Sequence, residues 1–342
     1  MSVTLRSFAK INLGLAIGLA RPDGFHALTT VYQTIGMHDL VTVTAWRGGV
    51  TRIVLTSNDG RVPTDARNTA WKMVERALAV LDVRAEVTIH IEKRLPVQGG
   101  LGAGSANAAA ALLGLERELG EELSKDHRLR IASEVGSDVP LFLLGGAVLG
   151  LGRGEVVSAL ADFPAVPCVV AVPEVGVSTP AAFREWDTRH SALTPAASAD
   201  RLEMLSRSVS AAWGQPHSSG VSWAASSEGM FSEADVARKG DLAETPLLAL
   251  VRTGIANDFE EVVFAQYPSL ADMVRVLQGS GLPEESALYA ALSGSGSALF
   301  GLYASSDAAD QAAGRIQDRG IVALRTATLP REQYWRTMWV EM

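Results

Sequence analysis

A glycine-rich run, Pro96-Val97-Gln98-Gly99-Gly100-Leu101-Gly102-Ala103-Gly104-Ser105-Ala106-Asn107, constrains this chain more than any other segment. Ahead of it, Val87, Ile89 and Ile91 alternate with Thr88, His90 and Glu92. That is the period of a half-buried strand. Behind it, Ala106 to Leu119 consists largely of strong helix formers. Strand, glycine loop and helix start together make an anion site. The glycines let the backbone turn its N–H groups inward, and the helix N-terminus adds free donors and partial positive charge. A nucleotide phosphate is the natural guest.

The loop is not a Walker A motif, because Ser105 stands where Gly99 and Gly104 would require lysine. Nor do Gly100, Gly102 and Gly104 have the spacing of a dinucleotide fingerprint. The plain alternative is a helix that follows a glycine turn and is capped by Ser105. Three further segments bear on the choice. Phe8-Ala9-Lys10-Ile11-Asn12-Leu13-Gly14-Leu15 runs through a turn at Arg21-Pro22-Asp23-Gly24 into Phe25-His26-Ala27-Leu28, which reads as strand, turn, strand. Lys10 in that apolar strand is either an edge lysine that blunts aggregation or an inward cation aimed at a phosphate. Gly136-Ser137-Asp138-Val139-Pro140 precedes the apolar run Val139 to Leu151. Asp138 either turns the chain ahead of a buried strand or holds a carboxylate where its orientation suits proton transfer. Leu292-Ser293-Gly294-Ser295-Gly296-Ser297 is either a surface turn or a second close approach of backbone to ligand.

In this order the four segments resemble the GHMP kinases. Pro96 to Ala106 is similar to that family's phosphate loop, which wraps the nucleotide phosphates without a P-loop lysine. The Arg21 to His26 and Gly136 to Pro140 blocks, with Lys93-Arg94-Leu95-Pro96 and Asn257-Asp258-Phe259-Glu260, resemble members that phosphorylate a cytidine-diphosphate-linked methylerythritol on its 2-hydroxyl, a step toward isoprenoid precursors. The resemblance spans roughly residues 3 to 330, densest up to about residue 155.

The resemblance implies roles. Asp138 is expected to take the proton of the substrate hydroxyl, with Lys10 beside it as the positioning cation. Residues Pro96, Val97, Gln98, Gly99, Gly100, Leu101, Gly102, Ala103, Gly104, Ser105 and Ala106 are expected around the ATP phosphates, with Mg²⁺ bridging phosphate oxygens; Lys93 and Asn68 are expected near the nucleotide. A protein metal cluster is not expected, since Mg²⁺ uses few protein ligands. His26 is expected on the cytosine edge, Phe25 and Phe183 on its two faces and Tyr32 nearby. Asn12 and Thr179 are expected on the polar substrate tail, with Gly294 and Gly296 also at the substrate. Where many relatives carry tyrosine, Phe25 keeps the stacking face and lacks the hydroxyl. Two alternatives remain. Another kinase of the family, acting on a sugar or a mevalonate-type acid, would leave the aromatic cluster without a flat base to stack. A silent ligand-binding relative would have no use for Lys10, Asp138 and the loop glycines together.

Composition narrows the classes. The 342 residues are 47% hydrophobic, enough for a large core, and the net charge of −8 argues against a nucleic-acid partner. Cys168 is the single cysteine; it excludes an internal disulfide, reads as core, and fits a reducing cytoplasm. Arg6 and Lys10 before an apolar stretch mimic a signal peptide, but Asn12 and Arg21-Pro22 break the pattern. No apolar run reaches the ~20 residues of a membrane span. The expected molecule is a monomer or weak homodimer acting on a small molecule.

Periodicity predicts an α+β chain. Strands are expected near 3–8, 11–19, 29–36, 40–46, 50–56 and 86–92, then helices near 67–82, 105–120 and 126–136. The second half is expected to hold a strand at 166–172, helices at 201–213, 270–278 and 307–319, and strands at 297–303 and 321–328. Residues 217–229 read as loop, and the tail Tyr334-Trp335-Arg336-Thr337-Met338-Trp339 has no expected role. The resemblance implies a two-domain GHMP kinase fold. Its N-terminal domain (1–163) is of the ribosomal protein S5 domain 2-like type, and its C-terminal domain (164–342) is a ferredoxin-like α/β sandwich, with a cleft between them.

Overall fold

A computed structural model describes residues 2–97, 99–213, 245–279, 281–282 and 284–340. The expected loop at 217–229 and Gln98 lie outside them. The first sheet is built from β1 (Val3–Ala20), β2 (His26–Arg47), β3 (Arg52–Ser57), β4 (Ala85–Glu92), β5 (Ala147–Leu151) and β6 (Val156–Ala159). Its order is β3-β4-β2-β5-β6, with β1 paired to β2. Three helices accompany it: α1 (Thr69–Leu81), α2 (Ala103–Leu119) and α3 (Lys125–Val135).

The second sheet holds β7 (Pro167–Val172), β8 (Tyr289–Leu292), β9 (Leu299–Leu302) and β10 (Val322–Ala327). Its order β10-β7-β9-β8 is antiparallel throughout, the ferredoxin-like arrangement. The helices of this half are α4 (Thr179–Arg189), α5 (Pro195–Trp213), α6 (Pro246–Arg252), α7 (Phe259–Gln266), α8 (Pro268–Gln278) and α9 (Ser306–Gln317). The fold is α+β with two sheets. The chain then returns to the first half: α10 (Arg331–Met338) buries Tyr334 and Met338 in the core of the first sheet.

Several expectations change in detail. The two short strands expected at 3–8 and 11–19 are one, β1, whose register against β2 slips between Phe8 and Ala9 and between Asn12 and Gly14. The apolar run after Asp138 is not a continuous strand. It opens with a 3-10 turn at Pro140–Leu143 and becomes β5 only at Ala147. Proline lacks a ladder donor, and Gly145 and Gly146 separate the two pieces. Helix α2 begins at Ala103 with Gly102 as N-cap and no side-chain cap, so Ser105 lies inside the first turn and does not cap it. Cys168 is fully buried, as expected. Among the described residues no helix is long and apolar enough to cross a membrane.

Candidate active site

Strand period puts the first three functional side chains on one face. Lys10 and Asn12 are two residues apart on β1, and Asn12 lies directly opposite Tyr32 on β2. Lys10 is 3% exposed, so it is the inward cation and not an edge lysine. Its ammonium donates to Asn12 Oδ1 at 2.7 Å. Asn12 donates onward to Thr30 Oγ1 at 2.8 Å, and Thr30 to the Gly14 carbonyl at 2.8 Å. Every partner in this chain is buried, so the lysine head has a fixed position.

Asp138 meets that head from the other side of the site. It sits in the turn between α3 and the 3-10 segment, where the Val139 N–H bonds to the Gly136 carbonyl at 3.1 Å. One carboxylate oxygen lies 3.5 Å from Lys10 Nζ, and the other accepts from Tyr32 Oη at 3.0 Å. The Asp138 side chain keeps 30% of its surface exposed, so the carboxylate remains reachable. Burial lowers the Lys10 pKa from its ordinary value, and Asp138 opposes that shift. Burial first, and then the Asp138 charge, push the Tyr32 phenol well above its ordinary value. Tyr32 therefore stays protonated and donates. Tyr32, expected near the cytosine, hydrogen-bonds the carboxylate.

The glycine loop brings its backbone to the same point. Gly100 and Gly102 have φ of +75° and +70°, a region that favours glycine. A Cβ on Gly102 would stand 2.9 Å from Lys10 Cγ and 2.9 Å from the Phe142 ring, so only glycine lets the loop pass over the lysine. The Leu101 carbonyl accepts from the Lys10 N–H at 3.0 Å. The first N–H groups of a helix have no intrahelical acceptor, which frees those of Ala103, Gly104 and Ser105. Ala106 differs from expectation: its N–H bonds to the Gly102 carbonyl at 2.9 Å and its side chain is buried. A cleft of about 430 Å³ runs along the loop, lined by residues 96–97 and 99–105 together with Asn68, Lys93, Arg61 and Arg67.

Two of the expected nucleotide residues have structural duties as well. Asn68 caps α1, accepting from the Ala70 N–H at 2.9 Å and donating to the Pro63 carbonyl at 2.7 Å. Lys93 lines the cleft, but its ammonium is tied to the fully buried Asp39 at 2.6 Å. Burial lowers its pKa, opposed by Asp39. Asp39 also accepts from the N–H groups of Arg94 and Leu95 and from Asn107. Position 39 carried no sequence signal of that role.

The Ser293–Ser297 loop is a second close approach of backbone. Ser293 donates to the Gly100 carbonyl at 3.1 Å, and the Ala298 N–H to the Gly99 carbonyl at 3.2 Å. A Cβ on Gly294 would stand 3.3 Å from Lys10 Nζ. Asn257, 1% exposed, donates to the carbonyls of Leu292 and Gly294 at 2.9 and 2.7 Å. Thr179, at the start of α4, pairs with Ser295 at 2.6 Å. Both halves of the chain thus meet at Lys10. Gly296 lies two residues farther along this loop, against Leu292.

The aromatic residues are arranged differently from the expected sandwich. His26 stacks directly on Phe183, with ring centroids 4.5 Å apart and planes 12° apart, and its Nε2 meets Asp187 at 2.7 Å. Phe183 is also braced by Phe259. Phe25 is 49% exposed and lies under the Arg153 guanidinium, 4.5 Å from its ring centre. Phe25 and Phe183 form no ring pair among the described residues. Asp187 and Arg153 were missed by sequence reasoning. Arg153 had one available signal, its place in Gly152-Arg153-Gly154-Glu155 at the end of the apolar run.

Residues 68–146 match the GHMP kinases N terminal domain and residues 238–322 the GHMP kinases C terminal domain. A 4-diphosphocytidyl-2-C-methyl-D-erythritol kinase of Streptomyces coelicolor is 34% identical over 94% of this chain and 94% of its own length. One from Solibacter usitatus is 34% identical over 98% and 91%. A crystal structure of 4-(cytidine 5'-diphospho)-2C-methyl-D-erythritol kinase, 26% identical, superposes with a TM-score of 0.64 over 95% of this chain and 99% of that one. A homoserine kinase from Cytophaga hutchinsonii, 20% identical over 97% and 96%, shares the fold at a TM-score of 0.69. The chain belongs to the GHMP kinase family, in its 4-diphosphocytidyl-2-C-methyl-D-erythritol kinase branch.

Proposed function

We propose that this enzyme transfers the γ-phosphoryl group of ATP to the 2-hydroxyl of 4-diphosphocytidyl-2-C-methyl-D-erythritol, with Asp138 as base and Lys10 as positioning cation. The observation that carries the reading is the contact of Lys10 with Asp138 directly beneath the glycine loop. The substrate hydroxyl gives its proton to Asp138 as its oxygen bonds to the γ-phosphorus, and the bond to the bridging oxygen of ADP breaks. Phosphoryl transfer leaves the protein little covalent work, so position and charge set the rate. Lys10, fixed by Asn12, holds the carboxylate in place and offsets charge on the moving group. Tyr32 fills one lone pair of Asp138, which leaves the remaining acceptor capacity for the hydroxyl. The free N–H groups of Ala103, Gly104 and Ser105 bind phosphate oxygens. Mg²⁺, which asks few ligands of a protein, would supply charge neutralisation at the phosphates that these N–H groups hold.

His26, Phe25 and Phe183 recognise the cytosine, although Phe183 now spends a face on His26; a base entering between Phe25 and that pair would stack on rings already oriented. Asn12 and Thr179 reach the polar tail. Lys93 and Asn68 act at the nucleotide mainly by shaping the cleft wall. The reading places the enzyme in the cytoplasm as a monomer or weak homodimer with no nucleic-acid partner. An ADP-release assay with Mg-ATP tests it by offering the cytidine substrate beside mevalonate, homoserine and galactose. Turnover on the cytidine substrate alone is expected. Turnover on another alcohol and not on this one would reassign the pocket.

A further inference from the structure

We propose that Arg153 is a positioning residue for substrate specificity: it holds the Phe25 ring in place as a wall of the base pocket. The inference rests on the cytidine reading above and adds a residue to it. Phe25 stands at the tip of the β1–β2 hairpin. The Arg21 carbonyl accepts from the Gly24 N–H at 3.0 Å there, and Asp23 accepts from the Phe25 N–H at 3.1 Å. The backbone is thus held, but the ring is half in solvent. No other aromatic ring pairs with it among the described residues. Its recorded ring partner is the Arg153 guanidinium, 4.5 Å from the ring centre.

That guanidinium is itself fixed. Its Nη2 donates to the Ser133 carbonyl on α3 at 3.1 Å, and its Nε meets Glu155 at 3.3 Å. The side chains of Arg153 and Glu155 are 23% and 16% exposed, far less than an ordinary surface pair. The turn bearing them is tied to the same hairpin, since the Leu28 N–H donates to the Gly152 carbonyl at 2.7 Å. Arg153 therefore links three parts of the site: the hairpin tip, the β5–β6 turn and the helix that leads to Asp138. A cation on one face of a ring contributes attraction there and leaves the opposite face for a base. Phe25 lacks the hydroxyl that could anchor a tyrosine by a hydrogen bond, so the guanidinium supplies the anchor from the ring face.

The test is steady-state kinetics on the full chain and on Arg153→Ala, Arg153→Lys, Phe25→Leu and the Phe25→Leu/Arg153→Ala double variant. Arg153→Ala is expected to raise KM for the cytidine substrate about tenfold, the factor that corresponds to loss of a partly desolvated ring–cation contact. Its kcat and its KM for ATP should stay within about twofold of the parent, the signature of lost binding alone. Arg153→Lys should recover part of the loss. In the Phe25→Leu background, Arg153→Ala should add nothing, because residues that act through one contact are not additive. The same factor in both backgrounds, or a fall in kcat at unchanged KM, overturns the proposal. A parent enzyme that ignores the cytidine substrate overturns the functional reading first and this inference with it.

Discussion

Burial and charge oppose one another at Lys10, and at Glu260 burial has no cation to oppose it. Lys10 loses hydration and regains part of the cost from Asp138. Among the described residues Glu260, on α7, accepts the Leu292 N–H at 2.8 Å and meets no cation, and burial pushes its carboxyl up to about 6 from 4.5. A raised carboxyl favours the protonated folded state. Its contribution is therefore fully present below pH 4.5 and is lost as pH rises through about 6. Glu260→Gln keeps an oxygen for the Leu292 N–H and removes the titration. Thermal or denaturant melts should show this variant more stable than the parent at pH 8, by up to about 2 kcal/mol, with the difference vanishing below pH 4.5. An equal difference at all pH values would contradict the assignment. The site's residues were unevenly legible at this scale. Lys10 was conspicuous as a charge in an apolar strand, but its role and that of Asp138 came from the family resemblance. Asp39, Arg153 and Asp187 looked like ordinary surface charges, because their partners lie 54, 128 and 161 positions away.

The glycine loop and the Ser293–Ser297 loop operate as one element. Gly100 has φ of +75°, and an added Cβ there would collide with the Ser293 carbonyl. Gly100→Ala should lower the melting temperature and raise the KM for ATP, since backbone strain and the collision both push the phosphate loop off its partner. An alanine variant with parental melting and ATP kinetics would mean the two loops are not docked in solution. Local pattern revealed most of the elements: β4, the body of α2, α3 and β7 all follow it. It missed α4, and it missed α6 and α7, which at 7 and 8 residues are too short for a helical period to stand out. It split β1 around Lys10, a charged residue in an apolar run, and the register slips on either side, between Phe8 and Ala9 and between Asn12 and Gly14, are decided by the partner strand. It left residues 139–151 as an apolar run, because such runs do not distinguish a buried 3-10 turn from a strand.

The tail with no expected role joins the ends of the molecule to the site. Tyr334 donates to the Phe142 carbonyl at 2.7 Å and Trp335 to the Leu144 carbonyl at 3.0 Å. Those carbonyls close the 3-10 segment that follows Asp138, and such ends need donors from elsewhere. Trp339 adds a bridge to Leu5 on β1. Tyr334→Phe leaves the Phe142 carbonyl unpaired in a buried place and should cost about 1–3 kcal/mol in equilibrium unfolding; no measurable loss would mean the strap carries no load. The central claim, however, concerns one carboxylate that Lys10 and Tyr32 hold in place. Its most direct test pairs turnover with nucleotide titration on Asp138→Asn. Loss of all measurable turnover with Mg-ATP binding unchanged is the predicted result. An asparagine variant that still turns over, or that loses ATP binding together with activity, would contradict the account.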